Sequence, residues 1–272
     1  MRPVLRYHGS KFRLAPWIIS HFPEHRCYVE PFSGGGSVLM QKPRSESEVL
    51  NDLDGRVCNV FRVLRDPAQA EMLRDALELT PYSRSEFELS RQVSDDPVED
   101  ARRMITLAFQ GFSTDACTRP CATGFRASHY RERTTPARDW ARYPAVLWQF
   151  TARLKGVVVE QQDAFELIPR LDRPGVLFYC DPPYLHSTRV AVASHQRCYR
   201  HEMTDEDHIR LSELLHAIEG MALISGYESD LYRDLYTDWQ MACRDTQASN
   251  SSKRTECLWI KPNTRVAQGR LL

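Results

Sequence analysis

The sequence lacks several features that would place it in a specialised class of protein. It has no apolar run approaching the length of a membrane span, no internal repeat and no low-complexity segment. The segment from Met1 to Lys11 lacks the apolar core of a signal peptide. Hydrophobic residues make up 42% and charged residues 26% of the chain, which is ordinary for a soluble globular protein. We therefore expect a globular protein that does not associate with membranes.

Neither charge nor cysteine is arranged in a diagnostic way. The 36 basic and 36 acidic residues cancel, so a polyanionic partner must be met by a local basic patch. The eight cysteines lack the regular spacing of a disulfide framework, which predicts reduced thiols and a cytoplasmic location. Cys117, Cys121 and His129 are close in sequence but fit no standard zinc spacing, so we predict no metal site.

Phosphate-binding fingerprints are missing as well. The segment 27–39 predicts a strand, a glycine loop and the start of a helix. Gly34, Gly35 and Gly36 permit positive φ angles and a close approach of the backbone to a ligand. The loop matches neither Gly-x-Gly-x-x-Gly nor a loop that ends in Gly-Lys-Ser/Thr, which argues against NAD and ATP.

An acidic residue follows the second predicted strand. Val49 and Leu50 lead into the segment 51–54, which contains Asp52 and Asp54. In α/β nucleotide-binding folds a carboxylate in this place accepts hydrogen bonds from ribose hydroxyls. Together with the glycine loop, Asp52 predicts an adenosine-like ligand without a phosphate anchor. Two ordinary strand-to-helix turns are the structural alternative.

Two other segments suit parts of such a ligand. A glycine turn at residues 5–11 presents an aromatic ring and Lys11 ahead of a predicted helix, which suits a partly planar ligand with a carboxylate. After a predicted strand at 157–160, Asp163 suits the amino group of an adenine and Phe165 its face, although Asp163 is equally a helix N-cap. The long polar segment 185–203 predicts a loop that covers the site.

The segment that organises the chain is Asp181-Pro182-Pro183-Tyr184. It follows a short, apolar, buried strand predicted at 176–179, and open α/β sheets bind ligands just outside the carboxyl ends of their strands. The prolines fix φ, so Asp181 and the Pro182 carbonyl are held as neighbouring acceptors beside the Tyr184 ring. Two acceptors and an aromatic face suit an aromatic amine. A turn with a partly exposed tyrosine is the alternative.

The middle of the chain is organised differently. Residues 61–79, 85–93 and 98–109 have helical periodicity, with breaks at prolines. Residues 111–144 are irregular and locally basic, with aromatic residues between the arginines, a composition that suits phosphate contact and base stacking. A solvated charged loop is the alternative. The arginines that we select as candidate contacts are Arg119, Arg126, Arg131 and Arg133.

Four spaced motifs together resemble those of the Dam-type, α-group, N6-adenine DNA methyltransferases. The motifs lie at residues 6–11, 30–37, 51–52 and 181–184, in the order found in that family. The likeness extends to residues 248–254. The chain departs from the family in the first motif, where Tyr7 replaces the common Trp and Ser10 the common Gly.

The resemblance implies an α/β fold: a Rossmann-like, S-adenosylmethionine-dependent methyltransferase sheet with an inserted, mostly helical target-recognition subdomain. The catalytic domain is expected at 1–59 and 151–272, and the insertion at 60–150. The implied cofactor, S-adenosyl-L-methionine, would have its ribose on Asp52, its adenine near Asp163 and Phe165, and its carboxylate near Lys11. The expected cofactor-binding residues are Tyr7, Lys11, Glu30, Phe32, Ser33, Gly34, Gly36, Asp52, Asp163, Phe165 and Asp181.

The implied reaction is methylation of an adenine that is flipped out of double-stranded DNA. Asp181 and the Pro182 carbonyl would accept the two N6 hydrogens while Tyr184 stacks on the ring. Arg6 would join the selected arginines on the DNA face, and no obligatory protein partner is expected. RNA and protein-glutamine methyltransferases also place a Pro-Pro-aromatic turn at this site, and a non-catalytic DNA-binding protein on the same scaffold is a further alternative. The long basic insertion favours DNA.

Overall fold

The computed structural model describes residues 2–112, 116–117, 123–127, 135–188, 199–247 and 253–264. The strands are β1 (Cys27–Glu30), β2 (Ser47–Asn51), β3 (Val157–Glu160), β4 (Val176–Cys180), β5 (Met221–Tyr227), β6 (Gln240–Gln247) and β7 (Lys253–Ile260). The helices are α1 (Ala15–Ile19), α2 (Gly55–Arg65), α3 (Pro67–Leu79), α4 (Arg84–Leu89), α5 (Pro97–Gln110), α6 (Pro136–Ala141), α7 (Leu147–Leu154), α8 (Ala164–Leu171), α9 (Asp205–Ala217) and α10 (Asp230–Leu235).

The strands form one sheet in the order β3-β2-β1-β4-β5-β7-β6. Strands β1 to β5 pair in parallel, while β7 is antiparallel to both β5 and β6. The strand order reverses between β1 and β4, and α/β sheets bind their ligands at the carboxyl edge of such a switch point.

Helices cover both faces of the sheet because its central strands are apolar on both sides. In β4, Leu177 and Tyr179 belong to the core cluster that includes residues of α1 to α7, whereas Val176, Phe178 and Cys180 belong to the cluster with α8, α9 and α10. This period of two is that of a strand buried on both faces. The continuous apolar run that predicted β4 reflects this double burial.

The six helices α2 to α7 lie between β2 and β3, where a simple crossover needs only one. Three of these helices, α3, α5 and α6, begin with a capping side chain followed by a proline in the first turn. Asp66 accepts from the backbone amides of residues 68 and 69 ahead of Pro67, and Asp96 accepts from that of residue 99 ahead of Pro97. The expected limits of the insertion, 60 and 150, fall inside α2 and α7.

The cysteine prediction was wrong in one respect. Cys243 and Cys257 face each other across the antiparallel pair β6 and β7 and form a disulfide. Their partnership depends on the register of the two strands, which the sequence spacing does not reveal. Four of the other cysteines are free thiols, namely Cys27, Cys58, Cys117 and Cys180, and Cys121 and Cys198 lie outside the described residues.

No helix in the described part of the chain is both long enough and apolar enough to cross a membrane. Within the same residues, no group of three His, Cys, Asp or Glu side chains is placed to hold a metal ion. Of the three residues weighed as metal ligands, Cys121 and His129 lie outside the described residues.

Candidate active site

A pocket opens at the carboxyl edge of the sheet, between the loops that follow β1, β2, β3 and β4. The N-terminal glycine turn and residues 199–203 complete its wall. The expected cofactor residues that line it are Tyr7, Lys11, Glu30, Phe32, Ser33, Gly34, Asp52, Asp163, Phe165 and Asp181. Gly36 does not line the pocket.

The glycine loop needs its glycines for two different contacts. Gly34 has a φ of 46°, and a Cβ there would lie 2.9 Å from the Tyr7 ring. Gly36 has a φ of 61°, and its Cβ would meet the Phe61 ring at the same distance. A side chain at either position would be strained and would clash. Residues 34–41 form turns rather than the regular helix expected after the loop.

Glu30 is a buried carboxylate at the end of β1, 2% exposed, in the wall of the pocket. Its Oε1 accepts from the Tyr28 hydroxyl at 2.6 Å and from the Leu39 amide at 2.7 Å. Burial raises the pKa of Glu30 to about 7, although both hydrogen bonds oppose the shift. A buried carboxylate that ionises near neutrality favours a cationic ligand.

Asp52 and Asp54 form the acidic tip of β2. The Asp52 carboxylate accepts from the Gly34 amide at 2.8 Å and from the Asp54 amide at 2.9 Å, and burial raises its pKa to about 6. Asp54 caps α2 through Oδ1. Its Oδ2 is buried and accepts no hydrogen bond from the described residues, with Arg200 Nε 3.4 Å away.

Asn51 fastens three strand ends together beside this tip. Its Nδ2 donates to the carbonyls of Pro31 and Gln162, at 2.8 and 2.9 Å, and its Oδ1 accepts from the Gln162 amide at 2.9 Å. Each of these groups belongs to a loop that lines the pocket. The buried amide therefore fixes the separation of the loops after β1, β2 and β3.

Asp163 and Phe165 lie at the start of α8, as the sequence predicts. Asp163 is the N-cap and accepts from the Phe165 amide at 2.8 Å. The guanidinium of Arg210 lies over the Phe165 ring, 4.2 Å from its centroid. Both predicted residues line the pocket, so the capping interaction and a ligand-binding role are compatible.

Asp181, 19% exposed in its side chain, begins immediately after β4. Its Oδ1 accepts from Ser225 Oγ at 2.8 Å and lies 2.9 Å from Lys11 Nζ. The Tyr179 hydroxyl is 3.1 Å from the same Ser225 oxygen. Among the described residues, none donates a hydrogen bond to Asp181 Oδ2. One carboxylate oxygen is thus immobilised, and the other remains as an acceptor.

The ammonium of Lys11 is engaged by groups of the protein. Its ammonium also donates to the Gly9 carbonyl at 2.8 Å and lies 3.5 Å from Glu256 Oε1. Burial opposes the charge, but the carboxylates of Asp181 and Glu256 raise the pKa of Lys11 above its ordinary value. These contacts differ from the expected interaction with a cofactor carboxylate. The sequence placed Lys11 in the pocket but did not reveal its partners.

Tyr184 stands beside this ion pair. Its hydroxyl donates to Glu256 Oε1, its ring meets Tyr227 edge to face at 4.8 Å, and Lys11 Nζ lies 4.6 Å from its centroid. Pro182 is buried next to Asp181. Sequence reasoning missed Glu256, whose only sequence signal is an acidic residue immediately before the apolar segment 257–260.

The expected covering loop is described only in part. Of the segment 185–203, residues 189–198 lie outside the described residues, and Tyr199 to Met203 line the pocket. A Cβ on Gly9 would lie 2.6 Å from the Tyr199 hydroxyl. Residues 199–203 therefore close one side of the pocket against the N-terminal turn.

Two of the arginines expected on the DNA face, Arg6 and Arg126, lie near the C-terminal end of α5. Arg6 Nη1 donates to the Phe109 carbonyl at 3.4 Å, and the Arg126 amide donates to the Gln110 carbonyl at 2.8 Å. Tyr82 donates to the Arg126 carbonyl at 2.8 Å. The insertion and the first motif therefore meet here. Arg119, Arg131 and Arg133 lie outside the described residues.

A sheet of five parallel strands, with an antiparallel seventh strand between the fifth and sixth and a ligand pocket at its carboxyl edge, defines a Rossmann-like methyltransferase fold. The model of the D12 class N6 adenine-specific DNA methyltransferases matches residues 7–250. The chain belongs to that family, so the resemblance inferred from the four motifs is confirmed. The family makes the protein an enzyme that methylates adenine N6 in DNA, which decides against the RNA, protein-glutamine and non-catalytic alternatives.

Named relatives agree with this assignment. The DNA adenine methylase of Serratia marcescens is 24% identical over 246 residues, covering 86% of this chain and 87% of its own. A type II methyltransferase of Lactococcus lactis subsp. cremoris is 24% identical and covers 93% and 90%. An rRNA methylase from Streptococcus thermophilus aligns with a TM-score of 0.38 at 8% identity, covering 95% of this chain and 98% of its own. That structural likeness carries no argument.

The pKa of Glu30 gives a prediction about stability and pH. Because its pKa is about 7 in the folded protein and about 4.3 in an unfolded chain, its contribution to stability is full below about pH 4 and is lost as the pH rises through 7. Glu30→Gln keeps an acceptor but cannot ionise. Between pH 5 and pH 8 the free energy of unfolding of wild type should fall by roughly 2 to 3 kcal/mol more than that of the variant.

Urea unfolding of both proteins at the two pH values measures this difference. Asp52, whose pKa is also raised, is present in both proteins and cancels in the comparison. Parallel pH dependence of the two unfolding free energies would show that Glu30 ionises as it does in an unfolded chain.

Proposed function

We propose that the methyl donor is S-adenosyl-L-methionine and that it binds in the pocket at the carboxyl edge of the sheet. The observation that carries this proposal is the charge of the wall. The lining contains seven carboxylates against one lysine and one arginine. With a sulfonium, an ammonium and one carboxylate, the donor is a net cation, whereas nucleotides with phosphates would be repelled. The acidic lining residues are Glu30, Asp52, Asp54, Asp163, Asp181, Glu202 and Asp207.

The residues present suit the parts of this cofactor. The tip of β2 carries two carboxylates for ribose hydroxyls, those of Asp52 and Asp54, and Oδ2 of Asp54 accepts no hydrogen bond from the described residues. Asp163 and Phe165 offer an acceptor and an aromatic face for the adenine. Tyr7, Phe32, Ser33 and the glycine loop would surround the amino-acid portion, near the Glu30 carboxylate. We assign Lys11 to the part of the site that binds the adenine, because its ammonium is already paired with Asp181.

The second half of the proposal concerns the adenine. The base must leave the duplex to reach the pocket, and Tyr184 provides an aromatic surface against which it stacks. Asp181 Oδ2 and the Pro182 carbonyl accept the two N6 hydrogens, which draws electron density onto the nitrogen. The bound cofactor supplies an electrophilic methyl group. The protein contributes orientation, exclusion of water and fixed acceptors, and one N6 proton leaves on the Asp181 side.

The DNA lies, in this proposal, against the helical insertion at 60–150 and the first motif. Arg6 and Arg126 stand together near the end of α5, and Phe112 beside them is 75% exposed. Cations with an exposed aromatic side chain suit phosphates and bases. We include Arg119, Arg131 and Arg133 in this face on their sequence alone. In this proposal the substrate is double-stranded DNA and the enzyme is cytoplasmic.

Cofactor binding can be tested at the tip of β2. Asp52→Asn at pH 8 should weaken binding of S-adenosyl-L-methionine by about 1.5 to 3 kcal/mol, because charge-assisted hydrogen bonds to the ribose are lost. Titration calorimetry without DNA measures this change, and Asp54→Asn is the matched neighbour. A loss confined to the Asp54 variant would move the ribose to that residue. Unchanged affinity in both variants would contradict the assignment of the pocket.

The DNA face can be tested separately. Arg6→Gln and Arg126→Gln should each flatten the salt dependence of DNA binding by roughly one unit of slope per lost phosphate contact. Cofactor affinity in the absence of DNA should stay unchanged. The control is Arg233→Gln on α10, whose side chain is 58% exposed. Variants that lose cofactor affinity but keep the wild-type salt slope would show that these arginines do not contact DNA.

A further inference from the structure

The antiparallel strand β7 brings a buried acidic residue to the carboxyl edge of the sheet. Because β7 runs antiparallel to β5, its residue Glu256 pairs with Tyr227 at the carboxyl end of β5. Glu256 is 4% exposed, and a carboxylate so deeply buried is costly unless it is paired and hydrogen-bonded. Its partners are therefore informative about its role.

Both partners of Glu256 are groups that the proposed reaction uses or touches. Oε1 accepts from the Tyr184 hydroxyl and lies 3.5 Å from Lys11 Nζ. Lys11 in turn lies 2.9 Å from Asp181 Oδ1. One ammonium is thus shared by two carboxylates, and the tyrosine hydroxyl supplies the remaining donor. Burial raises the pKa of Glu256, and the charge of Lys11 opposes that shift.

We propose that Glu256 is a positioning residue for methyl transfer: it fixes the Tyr184 ring through the hydroxyl and holds Lys11 where that ammonium immobilises Asp181 Oδ1. Oδ2 of Asp181, which receives no hydrogen bond from the described residues, then keeps one orientation toward the incoming amine. Ser225 secures the same oxygen from β5. This role rests on the proposed function, since it requires Asp181 and Tyr184 to contact the adenine.

The geometry makes a hydrogen-bond acceptor, rather than a charge alone, the essential property of residue 256. Glu256→Gln retains an oxygen that can accept from Tyr184, whereas Glu256→Ala retains none. Without an acceptor, the ring loses an anchor and the ammonium can recentre on Asp181. Loss of orientation affects the chemical step more than ground-state binding.

The test compares single-turnover methylation of duplex DNA by full-length wild type, Glu256→Ala and Glu256→Gln. Glu256→Ala should slow the chemical step roughly 10- to 100-fold, with the Kd for S-adenosyl-L-methionine unchanged. Glu256→Gln should recover most of that loss. Tyr184→Phe removes the other partner of the same hydrogen bond, so the double variant with Glu256→Ala should be no slower than the slower single variant. Glu213→Gln on the exposed side of α9 is the control.

Two further outcomes would overturn the inference. One is a Glu256→Ala enzyme with the wild-type rate of transfer. The other is multiplicative losses in the double variant, which would mean that the two side chains act independently. Thermal unfolding of every variant separates loss of the fold from loss of positioning, and Glu256→Gln keeps the test decisive if Glu256→Ala fails to fold. If Asp181→Ala were fully active, the proposed function would fail instead, so the two failures are distinguishable.

Discussion

The ion pair between Lys11 and Asp181 joins two parts of the chain that are 170 residues apart in sequence. Lys11 Nζ lies 2.9 Å from Asp181 Oδ1, with the lysine 5% and the aspartate 19% exposed in their side chains. Partial burial makes such a pair stronger than a surface pair, but also costly to break. The pair places the N-terminal glycine turn against the end of β4, and both segments line the pocket.

The acidic wall of the pocket has a cost that a bound cation offsets. Burial raises the pKa values of Glu30 and Asp52, so the folded protein without a ligand is destabilised as these groups ionise near neutral pH. A ligand that binds only the folded state returns that stability. The acidic wall therefore favours a cationic ligand over a neutral or anionic one. This arrangement follows the general rule that strained electrostatics concentrate at functional sites.

The sequence predicted what local chemistry determines. The turn at 181–184, the glycine loop and Asp52 each follow a strand, and strand ends in a parallel sheet meet at one edge. Their convergence could be inferred from a pattern of strands alone. Gly34 and Gly36 were recognisable because a glycine loop between a strand and a helix permits positive φ angles. Their contacts with Tyr7 and Phe61 were not predictable from the sequence.

The contacts that the sequence did not reveal depend on how segments that are distant in sequence pair or pack. Glu256 contacts Tyr184 because β7 pairs antiparallel with β5. The disulfide between Cys243 and Cys257 depends on the pairing of β6 with β7. Lys11 lines the pocket, but its ion-pair partners depend on how the glycine turn packs. Such pairings are properties of the folded sheet, and no local propensity encodes them.

The most direct test of the account follows the methyl group itself. Duplex DNA is incubated with the enzyme and S-adenosyl-L-methionine labelled in the methyl group, and is then digested to nucleosides that are separated by chromatography. We predict that the label appears in N6-methyladenine with wild type and is abolished in a folded Asp181→Ala variant. Label in another nucleoside would contradict methylation at adenine N6. More than about a tenth of the wild-type turnover in the variant would contradict the role of Asp181 as a hydrogen-bond acceptor for the adenine amine.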